Sequence, residues 1–424
     1  MDRSERKVCI VTPFHVSMNP RVIKEADALS EMGFDVSVIA PDFSDWGHEA
    51  DKAYRDRPWN IVATPTFGPL SSNFDRIREI SRRSFAAFAT KLFAAERLAV
   101  VHAALHPVTP LLIAAAKREK ADLYIAHVVA ALPAAAIAAH YNGTLYAFDA
   151  EDFHTGEFEN LPGTSLKRRL IELTEQRYLP GCSYVTAASP LIAKAYSETY
   201  DIGLPEVVLN VFPLSHAPNH ATPRGSATPG PSVYWYSQTI GPHRGLECAV
   251  RAVGVATTRP HLYLRGAFAT GYLKRLTTIA EEVGALDRLH FLPLEQPEKL
   301  ERLASIYDVG LSCEPGITRN NRIALGNKLF GYLLAGIPVA MSDVPSHREF
   351  VNQVRSATLQ IYERDKPASL ATVLDRLLID TEALAALRAE AYELGQRQFN
   401  WESENHKLLH IVEDSFGYPE CRRR

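Results

Sequence analysis

Cysteine is scarce in this chain of 424 residues: Cys9, Cys182, Cys248, Cys313 and Cys421 are scattered, with no close pair. That spacing fits neither a zinc site nor a disulfide framework, and a reducing, cytoplasmic setting is expected. An excess of positive charge is also missing. The 46 Lys and Arg against 49 Asp and Glu leave a formal net charge of −3, which argues against a nucleic-acid partner. No apolar run reaches the roughly 18–20 residues that span a bilayer, and the charged start Met1–Lys7 lacks the apolar core of a signal peptide. There is no Gly-x-Gly-x-x-Gly after the first strand and no Gly-x4-Gly-Lys-Ser/Thr loop, so a nicotinamide, flavin or nucleoside triphosphate site is not expected. No Asp-x-Asp pair stands in a loop context that asks for a metal, and no resident cofactor is expected.

What is present is a packed α/β pattern. With 46% hydrophobic residues the chain can bury substantial cores, and its length predicts two domains. Val8–Pro13 reads as a buried strand, a loop runs from His15 to Pro20, and Val22, Ala26 and Leu29 recur at helical spacing over 21–32 before Gly33. Val36–Ala40 completes a βαβ unit. Strands are expected again at Leu123–Ala126, ending on His127, and at Thr144–Phe148, which releases the acidic run Asp149, Glu151 and Asp152. Polar residues at strand ends serve either as site residues or as local structure: His127 as a hydrogen-bonded core histidine, the acids as the start of a helix. Between these, residues 74–99 carry Phe74, Ile77, Phe85, Phe88 and Leu92 on one helical face with arginines largely elsewhere. Such a helix either packs on a core or lies on an anionic membrane surface, the one peripheral membrane contact the sequence suggests.

After a Pro-, Ser- and Thr-rich linker at 213–231, the βα order resumes with Val233–Tyr236 as a strand and Ser237–Glu247 as a loop feeding a helix. Near the end of this half, Val309–Ser312 reads as a strand and Gly326–Ala335 as a loop and short helix carrying Lys328 in its first turn, followed by the strand Ile337–Met341. A helix start with a lysine suits a phosphate; an ordinary solvated lysine is the plain alternative. Two such domains in series would meet at a cleft, where ligands favour binding.

Asn19-Pro20-Arg21-Val22, Ser183–Ser189, Asn210–Pro213, Arg244-Gly245-Leu246-Glu247, Asn327–Phe330 with Gly336–Val339, and the tail Phe399-Asn400-Trp401-Glu402 stand in that order along nearly the whole chain. Together they resemble the landmarks of family 4 retaining glycosyltransferases. The resemblance implies the GT-B architecture: two Rossmann-like parallel-sheet domains, here 1–215 and 232–399, with a final helix at about 400–424 returning to the first. It implies transfer of a sugar from a nucleoside diphosphate sugar to an acceptor hydroxyl on a glycan, glycolipid or small molecule. Donor contacts would fall to Gln238, Thr239, Arg244, Gly245, Glu314, Asn327, Lys328 and Leu329, acceptor contacts to His15, Asn19, Arg21, Asp149, Glu151 and Asp152. His127, Arg244 and Lys328 would be closest to the chemistry.

Two positions depart from the family pattern. Gly331 stands where a glutamate commonly contacts the nucleotide ribose, and Thr239 stands where a second phosphate-binding base is frequent. These departures keep open an epimerase or hydrolase on the same fold, or a GT-B pair that binds a glycan or partner without catalysis. A glycine inside a helix costs about 1 kcal/mol relative to alanine, which predicts a close neighbour at Gly331.

Overall fold

The computed structural model describes residues 3–64, 98–158, 166–220 and 228–417. The basic helix read at 74–99 lies almost wholly outside them. The chain divides into two units, Met1–Val208 with Asn405–Arg424, and Leu209–Glu404.

The first unit is built on seven parallel strands: β1 (Lys7–Val11), β2 (Asp35–Ala40), β3 (Asn60–Ala63), β4 (Leu123–His127), β5 (Leu145–Ala150), β6 (Val185–Ala187) and β7 (Glu206–Val207). Their spatial order is β3-β2-β1-β4-β5-β6-β7. Val8, Cys9, Ile10 and Val11 are fully buried, as a continuous apolar strand covered on both faces must be. The strand order runs one way from β1 and the other way from β4, so the loops leaving those two strands diverge at a switch point, where open parallel sheets hold ligands. The helix Pro20–Glu31 starts there. Pro20 sits at its first position, and Asn19 caps it by accepting from the backbone N–H of Arg21 and Val22. One local expectation changes, and one strand had not been expected. β5 runs on to Ala150, so Asp149 lies inside a strand and not in the loop after it. β3 is a short edge strand after a turn-rich stretch, too brief to show a period of two.

The second unit has six parallel strands, β8 (Ser232–Ile240), β9 (His261–Phe268), β10 (Leu289–Leu292), β11 (Val309–Ser312), β12 (Val339–Ser342) and β13 (Leu359–Tyr362), in the order β10-β9-β8-β11-β12-β13. β8 is longer than expected. It continues past Tyr236 through an irregularity and rejoins β9 at Thr239 and Ile240, so Gln238 and Thr239 are exposed strand residues, not loop residues. Val233, Trp235, Leu262, Leu264, Val309 and Leu311 anchor one core of this unit.

The helix Trp401–Gly417 belongs to both units in turn. In the second, Trp401 donates its N–H to the Phe212 carbonyl at 2.9 Å and Glu404 accepts from the Leu209 N–H at 2.8 Å. In the first, Phe416 stacks on Phe34 and Arg6 lies 5.4 Å from its ring. Among the described residues no single helix is long and apolar enough to cross a membrane.

Candidate functional site

In the second unit, the loops leaving β8 and β11 close on each other at the C-terminal edge of the sheet. Gly245 is left-handed (φ 71°), and a side chain there would put its Cβ 2.8 Å from the Cys313 carbonyl oxygen, so only glycine allows this approach. The Cys313 thiol donates to the Arg244 carbonyl at 3.0 Å. Burial pushes that thiol's pKa far up, Glu314 adds to the rise and Lys328 opposes it, so both charges act on Cys313. Two helices begin beside this point, Leu246–Val255 from Gly245 and Asn327–Ala335 from Gly326, and neither has a side-chain cap. At Asn327–Ala335, which has no acid in its first turn, the first N–H groups and the dipole suit an anion, whereas in Leu246–Val255 the Glu247 carboxylate already bonds a backbone N–H of the first turn. Arg244 and Asn327 are exposed; Lys328 is half-buried with Nζ 5.5 Å from the centre of the Trp235 ring. The Glu314 carboxylate lies 3.1 Å from the point a Cβ on Gly326 would occupy, directly at the helix start. An adjoining cavity of about 710 Å³ is lined by His243, Gly245, Thr270, Tyr272, Pro315 and Ile317, among others.

In the first unit, charged groups gather at the C-terminal ends of β4 and β5. His127 and Asp149 are register partners on adjacent strands, and Thr186 is partner to Asp149 on β6, so the three stand in a row on one face. Arg21 grips Asp149 with two bonds, Nε to Oδ2 at 2.5 Å and Nη2 to Oδ1 at 2.8 Å, while Thr186 donates to Oδ1 at 2.6 Å. His127 is held on both nitrogens, Nε2 against Glu25 at 2.6 Å and Nδ1 against Glu151 at 2.9 Å. Burial alone would lower the pKa of His127. The Glu25 carboxylate, with hydrogen bonds to Glu151 and Glu25, overrides burial and lifts it to about 10. Asp149 is held below the ordinary carboxylate range by Arg21 and His127 in spite of its burial. The next residue, Val128, takes a left-handed backbone (φ 65°), a conformation that costs a β-branched residue about 1–3 kcal/mol.

No family model matches the chain, and no curated protein sequence does so either. Solved structures do match in three dimensions. Sucrose-phosphate synthase from Thermosynechococcus elongatus superposes with a TM-score of 0.72 at 16% identity, covering 97% of this chain and 100% of that one. HepE from Anabaena, solved with UDP and glucose, gives 0.69 at 15% identity over 97% and 100% of the two chains. The fold is GT-B. A trehalose-6-phosphate protein from E. coli bound to UDP-2-fluoro glucose shares it at 13% identity, with a TM-score of 0.64 over 96% and 98%. The sequence reading expected this architecture from six short motifs.

Within the GT-B fold, the expected donor residues of the second unit divide. Arg244, Gly245, Glu314 and Lys328 converge around Cys313, and Asn327 opens the same helix. The Leu329 side chain is fully buried in the core, so only its backbone could reach a ligand. Gln238 and Thr239 are exposed on β8. Gly331 has the expected close neighbour: a Cβ there would lie 2.4 Å from the Tyr236 hydroxyl and 3.2 Å from Glu301 Oε1. A carboxylate thus stands beside this helix position after all, supplied by Glu301 of the neighbouring helix Leu300–Ala304.

The expected acceptor residues divide more sharply. His15 is fully buried, with Nδ1 3.0 Å from Asp51 and Nε2 accepting from the Phe43 N–H; it fastens the loop after β1 to the helix Asp45–Asp51. Arg21 and Asp149 neutralise each other in the interior, and His127 has no exposed surface. Asp152 and Glu151 both keep some surface, and of the two it is Glu151 that bonds His127. Its Oε1 accepts from Asn19 at 2.7 Å and from His127, and its side chain keeps 20% of its surface exposed, against 0–4% for Glu25, His127 and Asp149. Asp152 is half-buried, and its carbonyl accepts from the Tyr196 hydroxyl. Glu25, which sequence reasoning passed over, lies three residues after Val22 and four before Leu29, on the apolar stripe of its helix. An acid on that stripe is the signal of a buried partner. Glu25, His127 and Asp149 bring ligand-type atoms within 4.8 Å of one another, a spacing that could hold a metal ion. The Arg21 guanidinium and the imidazolium already bind those oxygens, so a metal would have to displace the proton of His127.

Proposed function

We propose that the protein is a glycosyltransferase that takes a sugar from a nucleoside diphosphate sugar and passes it, with retention of configuration, to a hydroxyl of a glycan, glycolipid or small-molecule acceptor. One observation supports this reading above the others: on a GT-B fold, an exposed arginine loop and a lysine-bearing, uncapped helix start meet at one sheet edge. A diphosphate gains negative charge as its bond to the sugar breaks, and fixed cations and N–H groups aimed at that charge favour its departure. Arg244 and Lys328 are the residues suited to that role. In the step itself the C1–O(phosphate) bond breaks, the acceptor oxygen bonds to C1, and the acceptor proton passes to the departing phosphate oxygen. No enzyme nucleophile is needed for attack from that face. On the acceptor side, Glu151 is the group suited to meet a ligand hydroxyl, with His127 and Asn19 orienting it.

The test is calorimetric titration with UDP, GDP and ADP, followed by Arg244→Ala and Lys328→Ala. Each lost charge-assisted contact should weaken the preferred diphosphate by about 1.5–3 kcal/mol, roughly ten- to hundredfold, and suppress transfer, while the variants unfold at the wild-type temperature. Undiminished transfer by Arg244→Ala would sink the assignment. Gly331 favours keeping one second reading in view, a sugar-nucleotide hydrolase or epimerase; product formation from donor alone, without acceptor, distinguishes it.

A further inference from the structure

Cys313 touches the backbone of the arginine loop and also lies within reach of the other two charges of the donor site, Glu314 and Lys328. Its thiol reaches the Arg244 carbonyl at 3.0 Å, and its own carbonyl and Cβ are what the Gly245 backbone presses against. On either side of Arg244 the chain is left-handed, at His243 (φ 60°) and Gly245 (φ 71°). Histidine is one of the few side chains that adopt this region, and the turn it forms is closed against Cys313 through Gly245. The one described side-chain hydrogen bond to it comes from Cys313. The thiol is buried and held protonated, which keeps it a hydrogen-bond donor and removes it from thiolate chemistry.

We propose that Cys313 is a positioning residue for donor binding: its S–H···O bond to the Arg244 carbonyl sets the left-handed turn that aims the Arg244 guanidinium at the diphosphate. This rests on the donor reading above and deepens it. Cys313 touches no substrate. It acts through Arg244 alone, and that predicts how its loss combines with the loss of the arginine.

The experiment is a double-mutant cycle on nucleoside diphosphate affinity, read by calorimetry with UDP, GDP and ADP on the full chain. Cys313→Ala should weaken the preferred diphosphate roughly three- to tenfold, the worth of one modest hydrogen bond, and leave the corresponding nucleoside unaffected. Cys313→Ser, which keeps a donor, should restore binding. In an Arg244→Ala background the same Cys313→Ala change should have no further effect, because the group being positioned is gone. Wild-type affinity in Cys313→Ala, or full additivity with Arg244→Ala, overturns the proposal while leaving the donor reading intact. Failure of every nucleoside diphosphate to bind the wild-type chain overturns the donor reading, and this proposal with it. If the alanine variant does not fold, Cys313→Val removes the donor while filling the space, and the same outcomes decide.

Discussion

His127 shows how a residue can sit at a strand end and still be unavailable as it stands. Each ring nitrogen has a carboxylate, and the imidazolium this creates is lifted to about 10 from an ordinary 6.5. A basic group whose folded value is raised stabilises fully below its unfolded value and loses that contribution as pH rises through the folded one. Thermal stability should therefore decline between about pH 6.5 and pH 10 on account of this group, by on the order of a few kcal/mol. Glu25→Gln should lower stability at neutral pH and flatten the decline, since it removes the first partner; thermal melts of both proteins across that range check it. A decline of equal slope in Glu25→Gln would show that the network does not depend on this pair. Asp149 acts in the opposite sense. Its depressed value stabilises above the ordinary carboxylate range and is lost as pH falls through the folded value.

At the scale of elements, the helix Asn327–Ala335 accommodates a local rule broken at Gly331. Replacing a glycine in mid-helix by alanine normally stabilises by about 1 kcal/mol. Here the Tyr236 hydroxyl fills the space, so Gly331→Ala should destabilise by about 1–3 kcal/mol through overpacking. Combining it with Tyr236→Phe, which removes the obstructing oxygen, should recover most of the loss, and urea unfolding of the single and double variants measures both. If Gly331→Ala alone stabilises, the close packing around it is not what selects glycine. At the start of the helix Pro20–Glu31, Asn19 serves two purposes, capping the helix with its oxygen and holding Glu151 with its nitrogen. Asn19→Ala should accordingly cost about 1–2 kcal/mol of stability, the usual worth of a lost cap, and release Glu151 from one of its two donors.

At the scale of the whole molecule, each unit has its own parallel sheet, and every donor candidate falls within Leu209–Glu404. A fragment of that span should unfold cooperatively and bind the same nucleoside diphosphate as the full chain, without transferring sugar; circular dichroism and calorimetry test both. A fragment that is folded yet blind to nucleotides would mean the donor site needs the rest of the chain.

Much of the architecture was legible beforehand because parallel strands buried on both faces read as continuous apolar runs, as in Val8–Val11 and Val309–Ser312, with glycines closing the intervening helices. Short edge strands such as β3, and the extension of β8 past Tyr236, carry no comparable pattern. For the candidate site, local chemistry in the sequence pointed to Lys328 and the acids after β5, and the family resemblance pointed to Arg244. Which of them stay accessible was decided by contacts between residues distant in the chain: Arg21 with Asp149, Glu25 with His127, Tyr236 against Gly331. Charges that meet at 2.5–3 Å in the interior neutralise and bury one another, and spacing along a chain does not encode that meeting. Hydrophobic patterning along the chain was enough to set out two parallel α/β units and the types of group at their strand ends. The tertiary structure alone decided that Glu151, not His127, keeps exposed surface, and that Cys313 stands beneath the arginine loop.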